Sequence, residues 1–336
     1  MSDSMSTEIR LASRPTGWPI PDNFETAVIS LPELAEGEVR VANEFLSVDP
    51  YMRGRMNDAK SYAEPYALGE VMTGAAVGRV IESRTAEISV GDAVLHHLGW
   101  RSVSQGPAAS FRVVQDISGV PLSAYLGILG MTAYTAYVGL LEIAGLKEGD
   151  NVFVSGAAGA VGSAAGQIAR LKGASRVIGS AGTAEKVEQL KGKYGFAAAF
   201  NYKDAPVREQ LRAAAPEGID VYFDNVGGEH LEAALDVFNR GGRAALCGAI
   251  SSYNSTEAPV GPRNMANMIT QGLSLKGFTV GFYPELHEAF INDMSRWLDS
   301  GEIVFEETVI EGLENSVHGF LELMRGANTG KMVIKL

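Results

Sequence analysis

The sequence predicts an α/β protein: a doubly wound parallel sheet joined to a second, β-rich domain. Three observations carry this. From about residue 150 to about residue 300, apolar strand-like runs alternate with helical stretches, the pattern of parallel strands joined by covering helices. A glycine-rich turn separates the first strand of that series from its first helix. Ahead of it, up to about Gly119, short apolar runs are cut by Gly, Pro and Asp, which suits a compact, barrel-like domain.

Composition narrows the function. The chain has 336 residues, enough for two domains with sizeable cores. Apolar content of 46% and charged content of 20% are ordinary for a globular protein. A net charge of −12 argues against a basic surface for nucleic acid. No apolar run is long enough for a membrane span. The opening stretch MSDSMSTEIRLASRP lacks the apolar centre of a signal peptide. The single cysteine, Cys247, precludes an internal disulfide and fits a reducing cytoplasm. A small-molecule ligand is therefore expected, with neither nucleic acid nor membrane as partner.

In the first half, Glu38–Val41, Gly74–Ile81, Ala93–Leu98 and Phe111–Val114 read as strands. Ser47–Met56 reads as a turn, marked by Pro50 and Gly54 and carrying Tyr51, Arg53 and Arg55. Tyr51 is a candidate wall of a substrate cleft, because loop aromatics often line binding sites. For the two arginines, a cleft and simple pairing with surface acids stand level. The five histidines, His96 and His97 among them, show no ligand spacing, and one cysteine cannot build a thiolate site. No metal is expected. Leu122–Leu146 reads as one helix bridging the two domains, with Gly127, Gly130 and Gly139 allowing close approach.

The organising unit follows. Asn151–Ser155 reads as a strand, Gly156–Gly162 as a small-residue turn, Ser163–Lys172 as a helix and Arg176–Gly179 as a strand. This βαβ context turns a bare glycine pattern into a dinucleotide fingerprint of the Rossmann kind. Gly159 lets the backbone approach a pyrophosphate, and Gly162 lets helix and strand pack closely. The helix's free N–H groups and positive dipole end face the phosphates. Ala157 stands where the first glycine is usual. The second strand ends in Gly179-Ser180-Ala181-Gly182-Thr183-Ala184-Glu185-Lys186, with no acid at its tip. An NAD site places an acid there for the ribose 2′-hydroxyl; two hydroxyls and Lys186 instead welcome a 2′-phosphate. The cofactor is expected to be NADP(H).

Ala198–Tyr202, Ile219–Phe223, Gly242–Cys247 and Leu273–Val280 continue as strands, with helices at Ala205–Ala215, Glu229–Phe238 and Glu285–Leu298. Ligands bind at the carboxyl ends of such strands, where Tyr202, Asn225, Cys247, Gly248 and Phe278 fall. The loop Ala249–Pro262 is long, polar and proline-bearing, a functional signature. Val304–Ile310, a helix near Asn315–Met324 and the strand Lys331–Leu336 close the chain. The last strand is expected to rejoin the first domain. The boundaries are residues 1–123 and 302–336 for the β-rich domain and 124–301 for the nucleotide domain.

The stretches DPYMRGRM, LGILGMTAYTAY, AAGAVGSAAGQIARLKG, FNYK, FDNVGGE, CGAISSYN and GANTGKMVIKL, in this order, resemble the zinc-free medium-chain dehydrogenases/reductases, in the branch of NADP-dependent alkenal, leukotriene/prostaglandin and curcumin reductases. The resemblance implies a GroES-like β-rich substrate domain. It implies phosphate contacts at Gly159, Ala160, Val161 and Gly162, with Lys186 and Tyr202 around the adenosine 2′-phosphate and Asn225 near the cofactor. It places Cys247, Gly248, Ala249, Ile250, Ser251, Ser252 and Tyr253, and Phe278, Thr279 and Val280, along the nicotinamide. Asn328 would reach the cofactor from the other domain. Tyr51, Met131 and Tyr253 would face substrate. The implied reaction is hydride delivery from NADPH to the β-carbon of an α,β-unsaturated carbonyl. Tyr253 either stabilises the enolate or anchors the nicotinamide ribose, whose 2′-hydroxyl would then polarise the carbonyl. An NADPH:quinone oxidoreductase and a non-catalytic NADP-binding sensor or scaffold stay open as alternatives. A homodimer, with Leu273–Val280 as candidate edge strand, is also implied. Thr132, Ala133 and Tyr134 depart from the Pro-Gly-aliphatic triplet common in the family.

Overall fold

A computed structural model gives the architecture and describes residues 5–117 and 119–336. The first four residues of the opening stretch therefore lie outside the described residues. The chain divides into two compact units, Met1–Leu126 with Glu307–Leu336, and Gly127–Glu306. The crossings fall a few residues after the boundaries expected from sequence.

The first unit opens with β1 (Met5–Leu11) and β2 (Phe24–Ser30), an antiparallel ribbon that the sequence reading did not resolve. Then come β3 (Glu38–Ser47), the short helix α1 (Tyr51–Arg55), β4 (Ala76–Ser83), β5 (Ala93–His96), β6 (Val103–Pro107) and β7 (Arg112–Val113). β3 is the hub, pairing antiparallel with both β4 and β6. Gly78 explains how β4 passes the irregular middle of β3: a Cβ there would lie 2.1 Å from the Ala42 carbonyl oxygen. Val39, Val41, Val80 and Val94 close over Phe111 as one apolar cluster.

The expected helix Leu122–Leu146 is broken. Leu122–Leu126 is a 3-10 turn, Gly127–Gly130 reverses the chain, and α2 spans only Met131–Val138. A π-turn, Gly139–Ile143, follows. Glycine weakens a helix interior, and Gly130 here is extended, at φ −118° and ψ −161°. Gly139 serves close packing, since a Cβ there would meet the Phe223 ring at 2.4 Å and the Phe278 ring at 2.8 Å.

The second unit continues through β8 (Asn151–Val154), α3 (Ala160–Leu171), β9 (Arg176–Ala181), α4 (Ala184–Gly192), β10 (Ala198–Asn201), α5 (Val207–Ala214), β11 (Ile219–Asp224), α6 (Gly228–Val237) and β12 (Phe238–Leu246). It ends with α7 (Ala266–Gln271), β13 (Ser274–Gly277) and α8 (His287–Asp299). The sheet is parallel, in the order β10-β9-β8-β11-β12-β13. That is the doubly wound order, with its switch point between β8 and β11. Phe153, Ile178 and Tyr222 are fully buried on one face with apolar residues of α5 and α6. β13 is shorter than the expected Leu273–Val280, because Val280–Phe282 turns into a 3-10 helix.

The chain returns as β14 (Glu307–Glu311), α9 (Ser316–Met324) and β15 (Lys331–Lys335). β15 pairs parallel with β14 and antiparallel with β3, so the last strand does rejoin the first unit's sheet. No helix among the described residues is long and apolar enough to cross a membrane.

Candidate dinucleotide site

The turn between β8 and α3 is built by its glycines. Gly156 sits at φ 59°, the left-handed region that glycine enters at little cost. A Cβ on Gly162 would lie 2.4 Å from the Gly156 carbonyl oxygen, so only glycine lets α3 seat this close. Gly159 is different: a Cβ there would meet nothing nearer than the Gly156 oxygen at 3.5 Å. Its bare backbone is thus not required by packing within the chain, which fits a ligand approaching from outside. Gly159 caps α3, whose first i→i−4 bond runs from Ser163 N–H to Gly159. The N–H groups of Ala160, Val161 and Gly162 therefore precede the ladder. Ala157, in place of the usual glycine, is fully buried and donates its N–H to Ser180 at 2.9 Å.

The end of β9 has no acid at its tip, as the sequence indicates. Thr183 caps α4 by accepting the Lys186 N–H at 3.3 Å. Tyr202 comes alongside by donating its N–H to the Ala181 carbonyl at 3.1 Å. A Cβ on Gly182 would stand 3.2 Å from the Tyr202 hydroxyl, so Gly182 leaves room for that ring. Burial, then the charge of Lys203, pulls the Lys186 ammonium below its ordinary pKa.

Three strand ends are tied together by buried groups. The Asp224 carboxylate accepts Tyr222 O–H at 2.6 Å, Gly227 N–H at 2.8 Å, Val226 N–H at 3.0 Å and Ser155 O–H at 3.2 Å. Burial pushes its pKa up while these donors pull it down. Asn225 donates its side-chain amide to the Ser155 carbonyl at 2.8 Å. Cys247 and Gly248 donate backbone N–H groups to the Asp224 carbonyl, and Ile250 and Ser251 donate to Asn225 and Val226. The loop after β12 is thus zipped to the loop after β11. The sequence places these residues at strand ends, but the Ser155–Tyr222–Asp224 cluster was missed. Its signal was a polar trio in otherwise apolar strands.

That loop presents Tyr253. Its hydroxyl accepts the Ala249 N–H at 3.4 Å, and burial raises its pKa, with Cys247 and Asp224 adding to the rise. The phenol is neutral at physiological pH and can donate. Cys247 is half-buried, and burial beside Asp224 pushes its thiol up to about 12, so it is no nucleophile. Phe278, Thr279 and Val280 follow β13 and are half-buried. Met131 opens α2 and is exposed.

Tyr51 and Asn328 belong to the first unit. Tyr51 opens α1, half-buried, with its pKa raised by burial and by Asp49. Asn328 is buried and donates to Gly330 at 2.8 Å. The arginines make local contacts, as a structural turn would. Arg53 bonds Asn57 and the Gly17 carbonyl, and Arg55 bonds the Glu64 carbonyl and covers the Tyr66 ring. They brace this segment. His96 is buried against Asn43 and is pushed down to about 3 by burial. Among the described residues, no group of three or more His, Cys, Asp or Glu side chains could hold a metal ion.

Residues 7–114 match the family described as "N-terminal domain of oxidoreductase", and residues 160–299 match "Zinc-binding dehydrogenase". The putative NADP-dependent oxidoreductase YfmJ of Bacillus subtilis is 46% identical, over 98% of this chain and 97% of its own. The NADPH-dependent curcumin reductase of Escherichia coli is 40% identical, over 97% of this chain and 95% of its own. The chain belongs to the medium-chain dehydrogenase/reductase family. Within it, this dehydrogenase/reductase falls in the branch of alkenal, prostaglandin and curcumin reductases. The crystal structure of CurA from Vibrio vulnificus in complex with NADPH superposes with a TM-score of 0.93 at 42% identity, covering 98% of each chain.

Proposed function

We propose that this protein is a cytoplasmic, zinc-independent NADPH-dependent reductase of the carbon–carbon double bond in α,β-unsaturated aldehydes and ketones. The observation that carries the reading is the Cys247–Tyr253 loop. It is pinned to the strand ends around Asn225 and offers a neutral phenol but no acidic or basic side chain. A neutral donor suits an oxyanion that forms only during reaction. Near-full-length similarity to an NADPH-dependent curcumin reductase supports the same chemistry.

The residues present fit NADP(H). Gly159 to Gly162 would hold the pyrophosphate, Lys186 and Tyr202 the 2′-phosphate, and Asn225, the Cys247–Tyr253 loop and Phe278–Val280 the nicotinamide half. When bound, NADPH supplies the hydride that adds to the substrate's β-carbon. Tyr253 donates a hydrogen bond to the carbonyl oxygen as negative charge develops there, and Tyr253 or water returns a proton to the α-carbon. The unit Gly127–Glu306 is the nucleotide domain. Tyr51 and Asn328 lie in the unit Met1–Leu126 with Glu307–Leu336, and the family resemblance assigns Tyr51 to substrate and Asn328 to the cofactor. Met131 faces substrate. The protein acts as a homodimer, for which the exposed edge strand β13 is the candidate seam.

The test is NADPH oxidation with a panel of enals, enones and quinones, with products identified by mass. Saturated aldehydes or ketones are expected from the enals and enones. Turnover of quinones alone would replace this reading with a quinone reductase, and no turnover with any would point to a sensor. Lys186→Ala should weaken NADPH far more than NADH in a direct binding titration; equal losses would remove Lys186 from the 2′-phosphate.

A further inference from the structure

We propose that Lys203 is a second cation for the 2′-phosphate of NADP(H), facing Lys186 across the end of β9. The inference rests on the NADP reading above and adds a residue to it. The sheet register brings Lys203 there. The β10–β9 ladder closes on the pair Asn201 and Ala181, and the Tyr202 N–H extends it by one bond to the Ala181 carbonyl. The chain then turns under local control: Lys203 N–H bonds the Asn201 side-chain oxygen at 3.2 Å, and Asn201 holds Asp204 at 2.6 Å. This turn lays the Lys203 stem over Gly182, where a Cβ would stand 3.5 Å from Lys203 Cε and 3.2 Å from the Tyr202 hydroxyl. A side chain at position 182 would crowd the place where the phenol and the second lysine converge.

Lys186 stands in the first turn of α4, whose N-terminus Thr183 caps. Lys186 and Lys203 interact as like charges, which opposes the charged form of Lys186. Two nearby ammonium groups repel, and the repulsion becomes attraction when a dianion sits between them. Of the influences on Lys186, burial comes first, Lys203 second and Glu185 third. Two lysines, a phenol and a capped helix N-terminus around an acid-free strand end form a receptor for a phosphomonoester on a ribose.

The experiment is a binding titration of NADP⁺, NAD⁺ and 2′,5′-ADP against the wild type, Lys203→Ala and Lys203→Arg. Lys203→Ala is expected to weaken NADP⁺ and 2′,5′-ADP about tenfold, to leave NAD⁺ within about twofold, and to flatten the salt dependence of NADP⁺ binding. Lys203→Arg should restore most of the loss. An unchanged NADP⁺ Kd in Lys203→Ala would overturn the proposal, as would an equal loss for NAD⁺. Wild-type protein that fails to prefer NADP⁺ over NAD⁺ would overturn the cofactor reading itself, an outcome distinct from either. Should Lys203→Ala fail to fold, Lys203→Gln keeps the stem and removes the charge.

Discussion

The role proposed for Tyr253 on a substrate oxygen depends on what its own hydroxyl does not use. It accepts one backbone N–H, from Ala249, and keeps its proton for donation. Its raised pKa keeps that proton in place through neutral pH. If the proton meets the developing enolate, Tyr253→Phe should lower kcat about a hundredfold, the loss of roughly 3 kcal/mol expected for one oxyanion donor, with NADPH Kd unchanged. If the hydroxyl anchors the ribose instead, NADPH should bind about 1 kcal/mol more weakly with little change in kcat at saturation. Measuring both constants on one variant separates the two. The places of Tyr253 and Lys186, after strand ends of a parallel sheet, were legible in the sequence. Lys203 was not. It has no assignment in the sequence, and only strand register brings its stem beside Gly182.

The segment from Leu122 to Leu146 marks where periodicity misled. Its apolar stripe is real, but Gly127 and Gly130 break the backbone, and the short α2 they leave is held by side chains. Tyr134, one of the residues that depart from the family triplet, is buried and donates its hydroxyl to the Tyr283 carbonyl. Its ring packs on His287 and Phe290. It therefore latches α2, which begins at Met131, to the turn that follows Phe278–Val280. Tyr134→Phe keeps the ring and releases the turn. We expect a stability loss of about 1 kcal/mol and a raised KM for the enone, with NADPH affinity retained. A lowered melting temperature with unchanged KM would confine Tyr134 to stability. The strands β8 to β12 were legible because they carry buried apolar runs; the ribbon β1–β2 was missed because its strands mix charged with apolar residues and β2 is largely exposed.

At the scale of the whole molecule, two buried histidines set an acid limit. Burial holds His96 down to about 3 and His230 down to about 4. Between the ordinary histidine pKa and these values, the unfolded chain binds protons that the folded chain refuses. Stability therefore falls as pH drops below about 6.5, by up to about 1.4 kcal/mol per pH unit for each histidine. His230→Phe, which keeps a ring against Phe153, should make the denaturant midpoint fall less steeply between pH 6.5 and 4.5; an unchanged slope would remove His230 from the acid limb. The same scale decides assembly. The six-stranded sheet ends at β13, whose Ser274, Lys276 and Gly277 are exposed along the unpaired edge. Apolar side chains flank it in the sequence: Ile269 is 86% exposed and Phe282 75%. An open edge beside bare apolar groups invites a further strand, and a second copy about a twofold axis would supply β13 itself, continuing the sheet across both nucleotide domains. Ile269 makes few contacts within its own chain, so Ile269→Glu should leave the fold and its melting temperature near wild type while weakening the dimer. Light scattering at micromolar concentration is expected to give twice the chain mass for the wild type and a smaller mass for Ile269→Glu. A monomeric wild type would sink the homodimer, and a variant still fully dimeric would move the seam away from β13.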